Sequence, residues 1–240
     1  MNLKKQILIN NECYKIGQKR TVKGIMVHST GANNPNLNRY VGPDDGLLGV
    51  VSSNNWNQFK PSDRQVCVHA FIGKLKDGNI ATYQTLPWDM VGWHSGSGNL
   101  GSSKNANNTG YIGFEICEDN LTDKNYFSSV YQEAVELCAY LCKEYKLNPF
   151  TDIICHSEGY TKGIASNHAD VMHWFPKFGK SMDMFRNDVL TEVNKITINI
   201  KTDREKVQEY FDFDNNTMTF LDKHLYFKDL YMKLSKDYKF

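Results

Sequence analysis

The chain has 240 residues, 40% of them hydrophobic and 23% charged, which suits one sizeable α/β domain with a small appendage. Lys and Arg number 28 against 27 Asp and Glu, a formal net charge of +1, so no charge imbalance points to nucleic acid. The apolar runs fall far short of a membrane span, which argues against membrane insertion. The opening Met1-Asn2-Leu3-Lys4-Lys5-Gln6 leads into no signal-peptide core, so synthesis in the cytoplasm is expected.

In chain order, residues 1–22 read as an irregular arm leading to a first strand at about 23–28. Residues 31–64 are rich in Asn, Gly, Asp and Pro, with turns at Asn34-Pro35 and Asp45-Gly46 and a weak helical pattern. Val66 to Ile72 reads as a strand, Lys76-Asp77-Gly78-Asn79 as a hairpin turn, and Ile80 to Gln84 as the returning strand. Residues 94–110 form a Gly/Ser/Asn loop, of a length that usually marks function or disorder. Tyr111 to Cys117 is the next strand.

The best helix runs from Ser129 to about Lys146. Ser129 and Gln132 fit a capping box, Val130, Ala134, Val135, Leu137, Cys138, Leu141 and Cys142 build the apolar face, and Asn148-Pro149 stops it. A strand at 152–155 completes a strand–helix–strand unit. A second helix spans about 183–195, with Phe185, Val189 and Val193 on one stripe. Past a boundary near 196–201 the chain reads as helical, aromatic and highly charged, with Tyr210, Phe211, Phe213, Phe220, Tyr226, Phe227, Tyr231 and Tyr238. The six cysteines (Cys13, Cys67, Cys117, Cys138, Cys142 and Cys155) form no CxxC pair and read as reduced, buried hydrophobes.

The chemistry starts from two apolar runs that each end in histidine, Gly24-Ile25-Met26-Val27-His28 and Asp152-Ile153-Ile154-Cys155-His156. In open α/β sheets, sites form outside the carboxyl ends of strands. Two imidazoles there plus one carboxylate make a three-ligand zinc site with an open fourth position, the pattern of a catalytic site. The cluster Asn167-His168-Ala169-Asp170-Val171-Met172-His173 follows, and Val171, Met172, Trp174 and Phe175 would anchor it to a hydrophobic surface. Spacing alone leaves open which of His168, Asp170 and His173 binds metal.

Glu115 alternates with Ile112, Phe114 and Ile116 and so projects from the opposite face. Taken by itself it reads as the solvent side of a half-buried strand. In a partly desolvated site it would have a raised pKa suited to general-base work. His69 reads as a hydrogen-bonded core histidine in preference to a partner of the site. Trp93 and His94 open the polar loop, where the tryptophan reads equally as a sugar-stacking platform or as core.

These motifs resemble, in order, those of the type-2 N-acetylmuramoyl-L-alanine amidases, the zinc amidases of phage endolysins and bacterial autolysins, whose fold peptidoglycan-recognition proteins share. Val22 to Thr30 resembles the opening strand, Val66 to Ile72 the His-Phe strand, Trp93-His94-Ser95-Gly96 the WHAG loop, Ile112 to Cys117 the Glu-bearing strand and His156 to Asp170 the closing segment. The similarity covers about residues 20–190.

It implies an α/β fold with a central mixed sheet flanked by helices and a small helical C-terminal segment. The expected division is 1–195 as the catalytic domain and 196–240 as a module that binds cell wall or self-associates. It implies Zn2+ held by His28, His156 and Asp170, with Glu115 and His168 catalytic and His69, Trp93 and His94 binding substrate. The chain departs from the family at His168, where a lysine is usual, and in the longer segment around Gly159 to Asn167, so His168 or His173 could replace Asp170 as ligand. The implied reaction is hydrolysis of the bond between N-acetylmuramic acid and L-alanine in peptidoglycan. With no signal peptide read, the expected setting is a phage or prophage endolysin, made in a host cytoplasm and reaching the wall through a holin-type pore, with a bacterial autolysin exported by other means as the alternative. The alternatives are a non-catalytic peptidoglycan-binding module and a zinc hydrolase of another amide or peptide.

Overall fold

The computed structural model describes residues 1–199 and 203–223. In chain order its elements are β1 (Leu3–Lys5), α1 (Glu12–Ile16), β2 (Gly24–Ser29), β3 (Ala70–Lys74), β4 (Ile80–Gln84), α2 (Ala106–Thr109) and β5 (Tyr111–Ile116). Then come α3 (Lys124–Tyr145), α4 (Pro149–Asp152), β6 (Ile153–Cys155), α5 (His156–Thr161), α6 (Met182–Asn199), α7 (Asp203–Tyr210) and α8 (Asn215–Asp222). The six strands form one mixed sheet in the order β1-β4-β3-β5-β2-β6. β2 runs parallel to both β5 and β6, β3 is parallel to β5, and the β3–β4 hairpin is antiparallel.

Burial explains the central strands. Every residue of β2 and β6 is buried, as uninterrupted apolar runs in parallel sheets require. α3 packs against β3 and β4. Its aromatic residues Phe127 and Tyr131 meet Trp174, Phe175 and Phe185, with Phe127–Trp174 and Tyr131–Phe175 centroids both 5.4 Å apart. Val171, Trp174 and Phe175 are fully buried and pin the segment after Asp170 to the domain, whereas Met172 is exposed. All six cysteines are free and buried.

Local readings differ from the structure at four places. Residues 1–22 are not an arm: β1 adds a parallel edge strand, Leu3 opposite Thr82, and α1 is capped by Asn11, whose side chain accepts the Cys13 N–H. A three-residue strand carries no periodicity, and its partner lies far along the chain. The strand expected over 66–72 begins only at Ala70, although Cys67 N–H already donates to the Trp93 carbonyl. α3 starts at Lys124, capped by Asp123, which accepts from Asn125 and Tyr126. Ser129 therefore lies inside the helix, where its hydroxyl donates to the Asn125 carbonyl. The 94–110 loop contains α2 and a 3-10 turn at Ser102–Lys104.

The chain divides into two compact units, 1–193 and 194–240. Within the second, Val207 and Met218 are buried together, with Phe213 and Leu221 against them. Tyr226, Phe227, Tyr231 and Tyr238 lie outside the described residues. Among the described residues no helix is long and apolar enough to cross a membrane.

Candidate metal centre

Three elements bring three donors to one point. His28 is the fifth residue of β2 and sits opposite Glu115 of β5. His156 directly follows β6 and opens α5. The turn there is fixed by Glu158, which accepts the Cys155 N–H at 3.0 Å and is itself held by Arg186. Gly159 of α5 sits beside Met26 of β2 and Ala165: a Cβ there would come 2.6 Å from Met26 Cε and 3.1 Å from Ala165 Cβ. Asp170 arrives from the pinned segment, its carbonyl accepting the Ser157 N–H at 3.2 Å.

His28 Nδ1 lies 3.0 Å from His156 Nδ1 and 3.1 Å from Asp170 Oδ2, and His156 Nδ1 lies 3.6 Å from the same oxygen. A tetrahedral ion with ligands at ~2.0–2.2 Å needs donors about 3.3–3.5 Å apart, so the triangle has the right size. Among the described residues these three form the metal-competent cluster. The electrostatics fit the same occupant. Burial pulls the His28 imidazole down, but the Asp170 hydrogen bond and the charges of Glu115 and Asp170 outweigh it and raise it above the ordinary range. Burial, then the neighbouring His28 charge, lowers His156 to about 4. Burial opposes ionisation of Asp170, yet the His28 hydrogen bond and the His28 and His156 charges hold it below the usual carboxylate range.

Glu115 faces the cleft, not open solvent. The residue is half-buried, but its Oε2 is buried without a partner. Burial pushes its carboxyl up to about 8; the charge on His28 opposes that, and those on Asp170 and Glu118 add to it. A buried carboxylate with an unsatisfied oxygen is costly unless protonated or beside a cation. The orphaned oxygen and the three converging donors both fit a divalent cation.

The remaining expected residues separate. His168 is exposed and lies over the His156 ring, centroids 4.7 Å apart, on the cleft wall. His173 is outside the donor triangle: its Nε2 lies 2.9 Å from Glu118 Oε1. Trp93 and His94 line the cleft, a cavity of about 510 Å³. His69, expected to bind substrate, lies in the interior and is not among the residues that line the cleft. It is fully buried, its Nδ1 accepts the Gly113 N–H at 3.1 Å, and its Nε2 lies 2.8 Å from the Met90 carbonyl. Burial and the adjacent Arg20 guanidinium lower it to about 3. The cleft also contains Trp56 and Arg64, which the sequence reading missed. A tryptophan isolated in the polar 31–64 stretch was the available signal for the first; a surface arginine in that stretch gives none.

A search of curated protein sequences found no match. Solved structures share the fold. The Staphylococcus aureus hydrolase AmiA, solved in complex with its ligand, is 19% identical, with a TM-score of 0.53 over 82% of this chain and 84% of that one. The XlyA catalytic domain is 22% identical, with a TM-score of 0.52 over 79% of this chain and 99% of that one. The PlyG catalytic domain is 18% identical, with a TM-score of 0.52 over 80% and 96%. The model of the family described as N-acetylmuramoyl-L-alanine amidase matches residues 18–173. That stretch runs from ahead of β2 through the whole donor triangle to the Glu118 partner His173, more than half of the sequence, and the chain belongs to the N-acetylmuramoyl-L-alanine amidase family.

Proposed function

We propose that this enzyme, which hydrolyses the amide between N-acetylmuramic acid and L-alanine in peptidoglycan, does so with Zn2+ held by His28, His156 and Asp170. The observation that carries the proposal is the triangle of three buried donors at 3.0, 3.1 and 3.6 Å. A zinc ion held there would supply Lewis acidity, polarising the scissile carbonyl and acidifying the attacking water.

The chain's own groups do the rest. Glu115 takes the proton of the attacking water, a task suited to a carboxylate whose burial raises its basicity. A cation held by His28, His156 and Asp170 would counter part of that rise and favour the ionised carboxylate for the first step. His168, on the wall above His156, stands where a protonated imidazole would balance charge developing on the carbonyl oxygen. Glu115 or His168 then returns a proton to the leaving L-alanine amine. Trp93 and Trp56 give the cleft two indoles against which a sugar ring can stack.

On this reading residues 1–195 are the catalytic domain and 196–240 a small module for wall binding or self-association, supported by the Val207–Met218 cluster among its described residues. The substrate class supports a lytic role at the cell wall, as an endolysin released through a holin-type pore or as an autolysin.

The test measures zinc in the purified protein together with new N-terminal alanine released from Gram-positive cell walls, with and without chelator. One zinc per chain and chelator-sensitive release are expected. Release that survives complete removal of the metal would overturn the zinc assignment.

A further inference from the structure

His94 lies in the cleft, yet both of its ring nitrogens are already engaged by the protein. Its Nδ1 lies 3.0 Å from His28 Nε2, and its Nε2 lies 3.0 Å from the Tyr111 carbonyl. The carbonyl can only accept, so Nε2 of His94 carries the proton and Nδ1 presents a lone pair. The same assignment follows from the other end. His28 offers Nδ1 to Asp170 and His156, so a ligand bond there leaves the proton on Nε2, aimed at His94.

The fold is built to hold this ring. Gly113 of β5 forms its floor: a Cβ at that position would come 2.4 Å from both Cγ and Nδ1 of His94. The fully buried Asn107 clamps the backbone beside it, its Oδ1 accepting the N–H groups of His94 and Ser95 at 2.9 Å each. Arg20 donates to the same Tyr111 carbonyl at 2.6 Å, fixing the far end.

We infer that His94 is a positioning residue of the metal centre, accepting the Nε2–H of His28 and so holding that ligand in one tautomer and one orientation. The inference rests on the zinc reading above. It also reassigns His94 from the substrate-binding role expected of it, because a substrate contact at either nitrogen would break the chain of hydrogen bonds. Partners of this kind, bonded to the second nitrogen of a ligand histidine, typically alter metal affinity 10–100-fold when removed.

The experiment measures zinc affinity of the full chain by competition with a chromophoric chelator, with thermal unfolding of the metal-free protein as the check on folding. His94→Leu removes the acceptor and should weaken zinc binding about 10–100-fold. His94→Asn places an amide oxygen near the former Nδ1 and should bind zinc close to the parent. Gly113→Ala should weaken binding by pushing the ring, with the imidazole chemistry intact. Zinc affinity unchanged in His94→Leu, or lost equally in the Leu and Asn variants, would overturn the inference. If the Leu variant fails to fold, the same contrast is read between Ala and Asn at this position. His28→Ala separates the two levels. Stoichiometric zinc retained there sinks the metal centre itself, whereas zinc lost there but kept in the acceptor-free His94 variant sinks only the role of His94.

Discussion

His28 and His69 both lie beside His94, at ring-centroid distances of 5.1 and 5.8 Å, but their surroundings are opposite. His28 sits level with Glu115 near the carboxyl end of β2, against Asp170 and His156. His69 precedes β3, and its N–H donates to Gly113, two residues earlier on β5. Its neighbours are backbone groups and the Arg20 guanidinium. An acid beside one ring raises its proton affinity; an arginine beside the other adds to burial in lowering it to about 3. Two residues along a strand, and the sign of one neighbouring charge, separate a candidate ligand from a structural histidine.

The strongest way to break this contrast is His28→Ala. Loss of one of three donors should remove zinc from the purified protein and abolish hydrolysis, measured by metal analysis and alanine release. Retained stoichiometric zinc would refute the ligand assignment. Next in size is Glu115→Gln. The amide keeps the shape of the side chain but cannot take a proton, so turnover should fall about 10²–10⁴-fold with zinc still bound. Full activity in that variant would remove Glu115 from the mechanism.

Much of this arrangement was legible in the sequence, for identifiable reasons. β2 and β6 announce themselves because runs buried on both sides are continuously apolar, and the two candidate ligand histidines follow from where those runs end. Glu115 was harder. Strand alternation gives the face a side chain leaves from, not whether that face meets solvent or a cleft. Asp170 came from family resemblance and not from spacing, because its position is set by Trp174 and Phe175 burying against α3, a tertiary fact. The true start of α3 was hidden for another reason. Asp123 and Ser129 both satisfy local capping rules, and the extra turn is kept by Tyr126 and Phe127, which are buried. Trp56 and Arg64 reach the cleft from a stretch with no period to read.

The contrast sharpens further with pH. Zinc requires His28 and His156 neutral and Asp170 ionised, so protons compete with the metal. His156, lowered to about 4, is already neutral through the mildly acidic range. His28, held above its ordinary range by Asp170, is protonated there in the metal-free protein. Acidification below the His28 pKa should therefore weaken zinc binding with the slope of one proton, about tenfold per pH unit, until His156 begins to titrate. A slope of two throughout would mean that both imidazoles titrate together.

The smallest effect on the metal should come from His69. Substituting His69→Leu strands the Gly113 N–H and the Met90 carbonyl, two backbone groups in a dry interior. Each unsatisfied group costs about 1–3 kcal/mol, partly offset by the apolar replacement, so denaturant midpoints should fall while the zinc stoichiometry stays at one. The variant also leaves the Arg20 guanidinium without the ring beside it, yet Arg20 keeps its bonds to the Asn107 and Tyr111 carbonyls. The acceptor for His94 therefore survives, and the link from Tyr111 through His94 to His28 should stay intact. Zinc lost from His69→Leu as fully as from His28→Ala would mean that the two histidines belong to one coupled unit, and that the neighbouring charge alone does not divide their roles.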